Sequence, residues 1–166
     1  MVKKGILTFS NWLDWFCRRA AVGFFSIMLI LVVFQVVARY LFKSVPVWTE
    51  EAARYCMVWG GLLGATAAFK AESDPRVIPP PTSGSRLKIA SAMWLRGVCV
   101  VVFLGPILYH SERFLMRTWQ RTSEALGISI AWVTLAVPVG VAIILFHLVA
   151  KFLESRVGNG SHILHK

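Results

Sequence analysis

The amino-acid sequence predicts an all-α integral membrane protein with four transmembrane helices, and three observations support this fold class. Of 166 residues, 57% are hydrophobic and 16% are charged, and the mean hydropathy is +0.64. An average soluble domain has about 45–50% apolar and about 25% charged residues, and a chain of this length cannot bury such an excess. The apolar residues form four long blocks, and most basic residues lie beside these blocks.

Each apolar block has the length of a membrane span. The blocks are residues 20–38, 52–69, 89–110 and 128–150. Only Arg54 and Arg96 bring a formal charge into them. At about 1.5 Å per residue, blocks of roughly 18–23 residues match a hydrocarbon core about 30 Å thick. We therefore predict one four-helix domain over residues 1–157, followed by a flexible cytoplasmic tail at 158–166.

An amphipathic segment precedes the first span. Apolar side chains recur there at helical spacing, opposite polar ones: Ile6, Phe9, Trp12, Leu13 and Phe16. This pattern predicts an interfacial helix on the cytoplasmic surface before the chain turns into the bilayer, with a straight extension of the first span as the alternative. The first span is too long for a signal-peptide core and no small-residue cleavage site follows it, so we predict that it is retained.

A proline-rich loop is predicted between the second and third spans, at about 71–88. It contains Asp74-Pro75, three consecutive prolines at 79–81 and a Thr-Ser-Gly-Ser run. Proline fixes φ and lacks an N–H, so this stretch should be extended or turning. We interpret it as a passive connector, and a proline-rich recognition motif is the alternative.

The basic residues predict that both termini are cytoplasmic. Eleven flank the blocks on the side of the termini, and five lie on the other side: Arg39, Lys43, Arg113, Arg117 and Arg121. The richer side is the cytoplasmic one by the positive-inside rule. Because the positive charge flanks membrane spans, we expect it to meet membrane lipid and no nucleic acid.

Several kinds of chemistry are disfavoured, and we predict that the chain is not an enzyme. Cys17, Cys56 and Cys99 are scattered, with no C-x-x-C pair. His110 and His147 should lie near opposite membrane surfaces, so one haem could not take both as axial ligands. The four blocks contain no Asp or Glu, although a proton-coupled carrier generally needs a carboxylate at membrane depth. We expect no cofactor in this chain.

The start of the second span carries the densest group of charges. Thr49 could cap the helix through its hydroxyl, and Glu50 and Glu51 would then lie in the first turn, where the helix dipole favours negative charge. Arg54 is four residues after Glu50, a spacing that pairs the two side chains on one helix face. Adjacent carboxylates point about 100° apart, which argues against a catalytic acid–base pair.

Two interpretations of this charged group stay open. It is either a locally paired helix entrance, which Arg39 and Lys43 could also reach, or a charged docking point for another subunit. Further along the helix, Gly60 and Gly64 belong to a small-residue face suited to close helix packing, inside the chain or with a partner. Arg96 is close enough to the cytoplasmic surface to reach it by snorkelling.

Residues 35–65 resemble the small membrane subunit, or DctQ-type subunit, of tripartite ATP-independent periplasmic (TRAP) transporters. The matching residues are Gln35, Val36, Arg39, Tyr40, Trp48, Glu50, Glu51, Arg54, Tyr55, Trp59 and 62–65. A second block, 125–140, is similar to the last helix of that family through Gly127, Trp132, Leu135, Ala136, Pro138 and Gly140. The segment 74–78 departs from the family pattern, as do Ser129 and Thr134, where proline and tyrosine are expected.

The resemblance implies a multi-pass protein of the bacterial inner membrane that works with two partners. These are a large membrane subunit, which holds the substrate and sodium sites, and a periplasmic binding protein, which delivers a carboxylate-bearing solute. The small subunit would act as a scaffold and offer part of the docking surface. Candidate docking residues are Arg39, Tyr40, Trp48, Glu50, Glu51, Arg54, Tyr55, Trp59, Gly60 and Gly64. The alternative function is a cofactor-holding membrane anchor of a respiratory enzyme.

Overall fold

The computed structural model describes residues 2–71 and 86–161, with side chains described for 5–71, 91 and 94–152. These residues form α1 (Val2–Leu41), α2 (Val47–Lys70), α3 (Arg86–Trp119), α4 (Ala131–Thr134) and α5 (Ala136–Ser161). The described chain contains no strand beyond one isolated antiparallel bridge between Thr122 and Ser129, which confirms the all-α prediction. Most of the predicted loop at 71–88 and the end of the predicted tail lie outside the described residues. α5 continues past the predicted start of the tail.

α1 is one continuous helix of 40 residues. At about 1.5 Å per residue it is about 60 Å long, twice the thickness of a bilayer core. The prediction of a separate interfacial helix is therefore wrong. No proline interrupts the backbone hydrogen bonds of α1, and its polar face turns toward the other helices. Ser10 is buried on this face, while Phe9 and Trp12 are 51% and 58% exposed.

α2 begins at Val47, directly after Pro46. The prediction that Thr49 caps this helix is wrong, because Pro46 occupies the cap position. Thr49 lies in the first turn, fully buried, and its hydroxyl donates a hydrogen bond to the Pro46 carbonyl oxygen at 2.7 Å. With 24 residues, α2 is about 36 Å long, enough to cross a bilayer core.

Prolines have different effects in the two remaining parts of the bundle. α3 runs through Pro106 and ends at Trp119, well past the predicted boundary at 110. α4 ends at Thr134 and α5 begins at Ala136, but Leu135 between them keeps helical angles, with φ −59° and ψ −27°, so the predicted span at 128–150 is helical from Ala131 onward. Pro138 has no N–H to donate to the carbonyl oxygen of Thr134, which accounts for the missing helical hydrogen bond there.

α5 lies at the centre of the bundle and α3 at one edge. α5 packs against α1, α2 and α3, whereas α1 and α3 are not in contact within the described residues. In the most apolar stretch of α4–α5, 39% of the residues are buried inside the structure. The corresponding share is 6% in α1, and no residue of the corresponding stretch of α3 is buried. We refer to the end that holds the α1–α2 and α3–α4 loops as the outer end, and to the opposite end as the inner end.

Three stretches within the described residues are long and apolar enough to cross a membrane: Gly5–Leu41, Trp94–Trp119 and Ala131–Phe152. α2 is long enough but less apolar, because it contains Arg54 and many glycines and alanines. The structure therefore supports a multi-pass membrane protein.

Candidate functional site

Five of the predicted docking residues are exposed at the outer end of α1 and α2. We refer to them as the outer patch: Arg39, Tyr40, Trp48, Glu50 and Arg54. Tyr40 is 79% exposed. Glu50 accepts a hydrogen bond from Arg54 in an ion pair between side chains that are 60% and 69% exposed. An ion pair this exposed adds little to stability, so its charges are available to a partner.

Two nearby basic residues, Arg39 at the end of α1 and Lys43 in the α1–α2 loop, do not join this pair. Within the described residues, neither Arg39 nor Lys43 lies within ion-pair distance of Glu50 or Glu51. Lys43 has a φ of 53° at the end of α1, where the chain turns toward α2. The structure therefore pairs Glu50 within its own helix.

Glu51 points in a different direction from Glu50 and binds the α3–α4 loop. Its Oε2 atom accepts hydrogen bonds from the Ser123 hydroxyl and from the backbone N–H groups of Ala125 at 3.3 Å and Leu126 at 3.1 Å. Adjacent residues of a helix are about 100° apart, which is why one carboxylate faces outward and the next faces the loop. Glu51 thus connects α2 to the link between α3 and α4.

The α3–α4 loop is itself folded. The N–H of Ser123 donates to the Ile128 carbonyl oxygen at 2.8 Å, and Gly127 has a φ of +64°, a conformation that favours glycine. Ser129 donates from its hydroxyl to the Trp119 carbonyl oxygen at 2.9 Å and accepts from the Ala131 N–H at 3.2 Å. Ser129 therefore links the end of α3 to the start of α4.

The hydrogen bond from Ser123 has the largest effect on the pKa of Glu51, and it lowers that pKa. Partial desolvation acts in the opposite direction, while the N–H groups of Leu126 and Ala125 and the charge of Arg54 lower the pKa further. The net result is a pKa below the ordinary glutamate value. Glu51 is therefore ionised at neutral pH, as an acceptor of three hydrogen bonds should be.

The remaining predicted docking residues lie where α2 meets α1 and α4, or near that contact. Tyr55 is half-buried. Trp59 stacks on Phe24 of α1, with ring centroids 6.1 Å apart, and its indole N–H donates to the Trp132 carbonyl oxygen at 3.2 Å. A methyl group at Gly60 would come within 3.3 Å of α1 side chains, and one at Gly64 within 3.9 Å. Trp59, Gly60 and Gly64 thus pack helices of this chain together.

A polar cluster at the inner end was not predicted from the sequence. We refer to Ser10, Asn11, Lys70 and His147 as the inner polar cluster. The Lys70 ammonium donates to the Ser10 carbonyl oxygen at 2.6 Å and to Asn11 Oδ1 at 2.8 Å, and the Ser10 hydroxyl lies 2.9 Å from His147 Nδ1. His147 is 2% exposed. The signal that could have revealed the cluster is the polar face of α1, once α1 is taken as unbroken.

The histidines and cysteines considered in the sequence analysis do not form a metal site within the described residues. No group of three or more His, Cys, Asp or Glu side chains there could hold a metal ion. His110 is exposed, and its Nδ1 lies 3.0 Å from the Pro106 carbonyl oxygen in its own helix.

Comparison with known proteins points to one family. The sequence model of the family described as tripartite ATP-independent periplasmic transporters, DctQ component, matches residues 28–158. Two Haemophilus influenzae proteins described as TRAP transporter small permease proteins are similar to the chain. One is 33% identical over 89 residues, which cover 51% of this chain and 55% of the relative, so the match spans about half of that relative's length. The other is 28% identical over 135 residues, which cover 78% of this chain and 81% of the relative.

Proposed function

Because the chain belongs to the DctQ component family of TRAP transporters, we propose that it is the small subunit that scaffolds a large permease subunit. In this proposal, the large subunit carries out sodium-driven uptake of a carboxylate-bearing solute, which a periplasmic binding protein delivers. The observation that carries the proposal is the family match from residue 28 to residue 158, which extends from α1 into α5. The family match also argues against the respiratory-anchor alternative.

The distribution of acidic residues supports a scaffold rather than a carrier. The described acidic side chains all lie outside the four apolar blocks of the sequence: Asp14, Glu50, Glu51, Glu112 and Glu124. A coupled ion needs a polar site at membrane depth. We therefore place the sodium sites in the large partner and expect no cofactor in this chain.

We propose that α2 crosses the membrane as a fourth span and that both termini are cytoplasmic. α2 is antiparallel to α1 and packed along it, so the two helices share one depth range. Reporter fusions after Lys43 and after Arg121 should report the periplasm, and fusions after Ser83 and after Lys166 the cytoplasm. The inverse pattern would overturn this topology.

We propose that the outer patch contacts the large subunit or the binding protein. The patch presents exposed aromatic rings and arginines, residue types that are enriched at protein interfaces, whereas Glu51 is engaged inside the chain. The Arg54→Glu variant should reduce the yield of the co-purified complex several-fold. Arg117→Glu is the matched control, because Arg117 is equally a charged, exposed residue near the outer end, on α3.

A charge swap separates docking from local pairing. Glu50→Arg combined with Arg54→Glu keeps an ion pair within α2 but reverses the charges that a partner meets. If the outer patch docks a partner, the swapped variant stays defective in complex formation. Full recovery of the complex in the swapped variant, or equal effects of Arg54→Glu and Arg117→Glu, would contradict the docking role.

A further inference from the structure

An apolar groove runs between α2, α3 and α5 near the inner end. It has a volume of about 330 Å³ and is lined by Phe69, Cys99, Val100, Phe103, Leu104 and Ile144. In the described residues the backbones of α2 and α3 are not in close contact, and the two helices meet through Arg96, which lies over the Phe69 ring. α5 therefore forms the floor of this inner groove, and α2 and α3 form its walls. The volume lies at the lower end of the range for small-ligand pockets, about 300–1,000 Å³.

Two cationic side chains lie at the inner end of this groove, Arg96 on α3 and Lys151 on α5. The Arg96 guanidinium is 4.8 Å from the ring centroid of Phe69, and the Lys151 ammonium is 5.8 Å from the same centroid. Arg96 comes one helical turn before Val100, and Lys151 two turns after Ile144, so each is in line with a groove residue on its own helix. Phe69 thus belongs both to the apolar wall and to the cationic end.

Aromatic packing closes the bundle between α3 and α5 beside these cations. A methyl group added at Gly97 would come within 2.5 Å of the Phe152 ring, so this ring of α5 lies against the α3 backbone at Gly97. Trp94 packs on the same ring, with centroids 5.4 Å apart. The groove therefore ends at the inner end and is open along its side, where an acyl chain could enter from the bilayer.

We propose that the inner groove binds one anionic phospholipid. Its acyl chain lies on Phe103, Leu104 and Ile144, and its phosphate meets Arg96, while the buried Lys151 ammonium adds positive charge behind Phe69. Basic residues between membrane helices at headgroup depth bind anionic lipid headgroups, and the planar guanidinium suits a phosphate. An apolar helix of a partner would fill the groove without needing the two cations. With the proposed topology the lipid belongs to the cytoplasmic leaflet, where anionic lipids attract basic residues.

Lipid retention by the purified full-length chain tests this proposal, independently of any transport activity. The chain is reconstituted with equal amounts of phosphatidylglycerol and phosphatidylcholine, extracted gently, and the retained lipids are measured by native mass spectrometry. We expect wild type to retain phosphatidylglycerol preferentially. Removing both cations in Arg96→Gln/Lys151→Gln should weaken that retention by roughly fivefold for each charge. The matched control, Arg117→Gln/Arg121→Gln, removes two exposed outer-end arginines and should leave retention unchanged.

A second variant keeps the test decisive if the double variant does not fold. Val100→Trp fills the groove while leaving both cations in place, and it should reduce the retention of both lipids. Equal phosphatidylglycerol retention in all three variants would overturn the proposal. So would displacement of the lipid by millimolar inorganic phosphate, which would indicate a site for a free anion. A photo-crosslinker at Phe103 that captures the large subunit instead of lipid would also overturn it.

Discussion

The α1–α2 pair and the edge helix α3 are packed in opposite ways. α1 and α2 approach at Gly60, stack Trp59 on Phe24, and share the inner polar cluster with α5. Among the described elements the backbone of α3 lies close to α4 and α5, and Arg96 alone is seen to reach α2, over Phe69. Large apolar side chains of α3 such as Phe103 and Met116 are 77% and 66% exposed. Contacts within the chain are therefore concentrated around α1 and α2, whereas α3 leaves apolar surface for lipid or a subunit.

Glu51 links these two sides at the outer end. Its carboxylate is on α2, but all three of its hydrogen-bond donors lie in the loop that follows α3. The outer end of α3 is therefore held to α2 through a folded loop, in addition to its own packing against α4. Substitutions between α1 and α2, which we refer to as the tight pair, should therefore lower the free energy of unfolding most. Substitution of Glu51, the linking residue, should lower it less, and substitutions in α3 least.

The largest effect is expected from Gly60→Leu. A β-carbon at Gly60 would already lie 3.3 Å from Phe24 and Phe25, so a leucine must push α1 away from α2. Overpacking of this kind costs about 1–3 kcal/mol. Gly61→Leu is the control, because a β-carbon there meets nothing within 4 Å. Thermal unfolding in detergent should show a lower midpoint for Gly60→Leu alone, and equal midpoints for the two variants would contradict the tight pair.

An intermediate effect is expected from Glu51→Gln, with Glu50→Gln as its control. The glutamine cannot accept three hydrogen bonds with the strength of a carboxylate, whereas among the described residues Glu50 is bound only to the exposed Arg54. At pH 7 the unfolding midpoint should fall for Glu51→Gln and barely change for Glu50→Gln. Equal unfolding midpoints for the two variants would contradict the role of Glu51 in linking α2 to the α3–α4 loop.

The pH dependence of this difference has a defined sign. Because the folded chain lowers the pKa of Glu51, the stabilisation is present above the ordinary glutamate pKa of about 4.3 and is lost as the pH falls through the lower, folded value. Wild type and Glu51→Gln should therefore converge in unfolding midpoint on acidification. A difference that stays constant down to pH 3 would contradict this account.

The smallest effect is expected from Gly97→Ala in α3. The added methyl group would meet the Phe152 ring, but that ring is the far end of a side chain that can rotate away. This rotation should lower the free energy of unfolding by about 1 kcal/mol, and the higher helix propensity of alanine than of glycine should offset part of that loss. Gly105→Ala, where a β-carbon meets nothing within 4 Å, is the control. A loss as large as that of Gly60→Leu would show that α3 is packed as tightly as the α1–α2 pair.

The sequence predicted the helices better than their ends. Apolar blocks identify α1, α2, α3 and α5, because burial in lipid requires long apolar runs. The unbroken α1 was kept only as the alternative, because amphipathic periodicity is the same for a helix on a membrane surface and for one that packs a polar face against its neighbours. Thr49 was misplaced, because its residue type suits a cap but Pro46 fixes the start of the helix.

The contacts of the candidate site were only partly predictable. The Glu50–Arg54 pair follows from local spacing and is present. The partners of Glu51 are more than 70 residues away, and the partner of Ser10 on α5 is 137 residues away, so local patterns hold no information on them. The roles of Trp59 and Gly60 within the chain likewise depend on which helix lies beside α2.

Transport reconstituted with one component omitted at a time tests the scaffold proposal most directly. Liposomes contain this chain and its large partner, a sodium gradient is imposed, and uptake of the labelled solute is measured with the binding protein present. The account predicts uptake with all components, loss of most uptake when this chain is left out, and none when this chain is the only membrane protein. Full uptake without this chain, or uptake by this chain alone, would contradict the account.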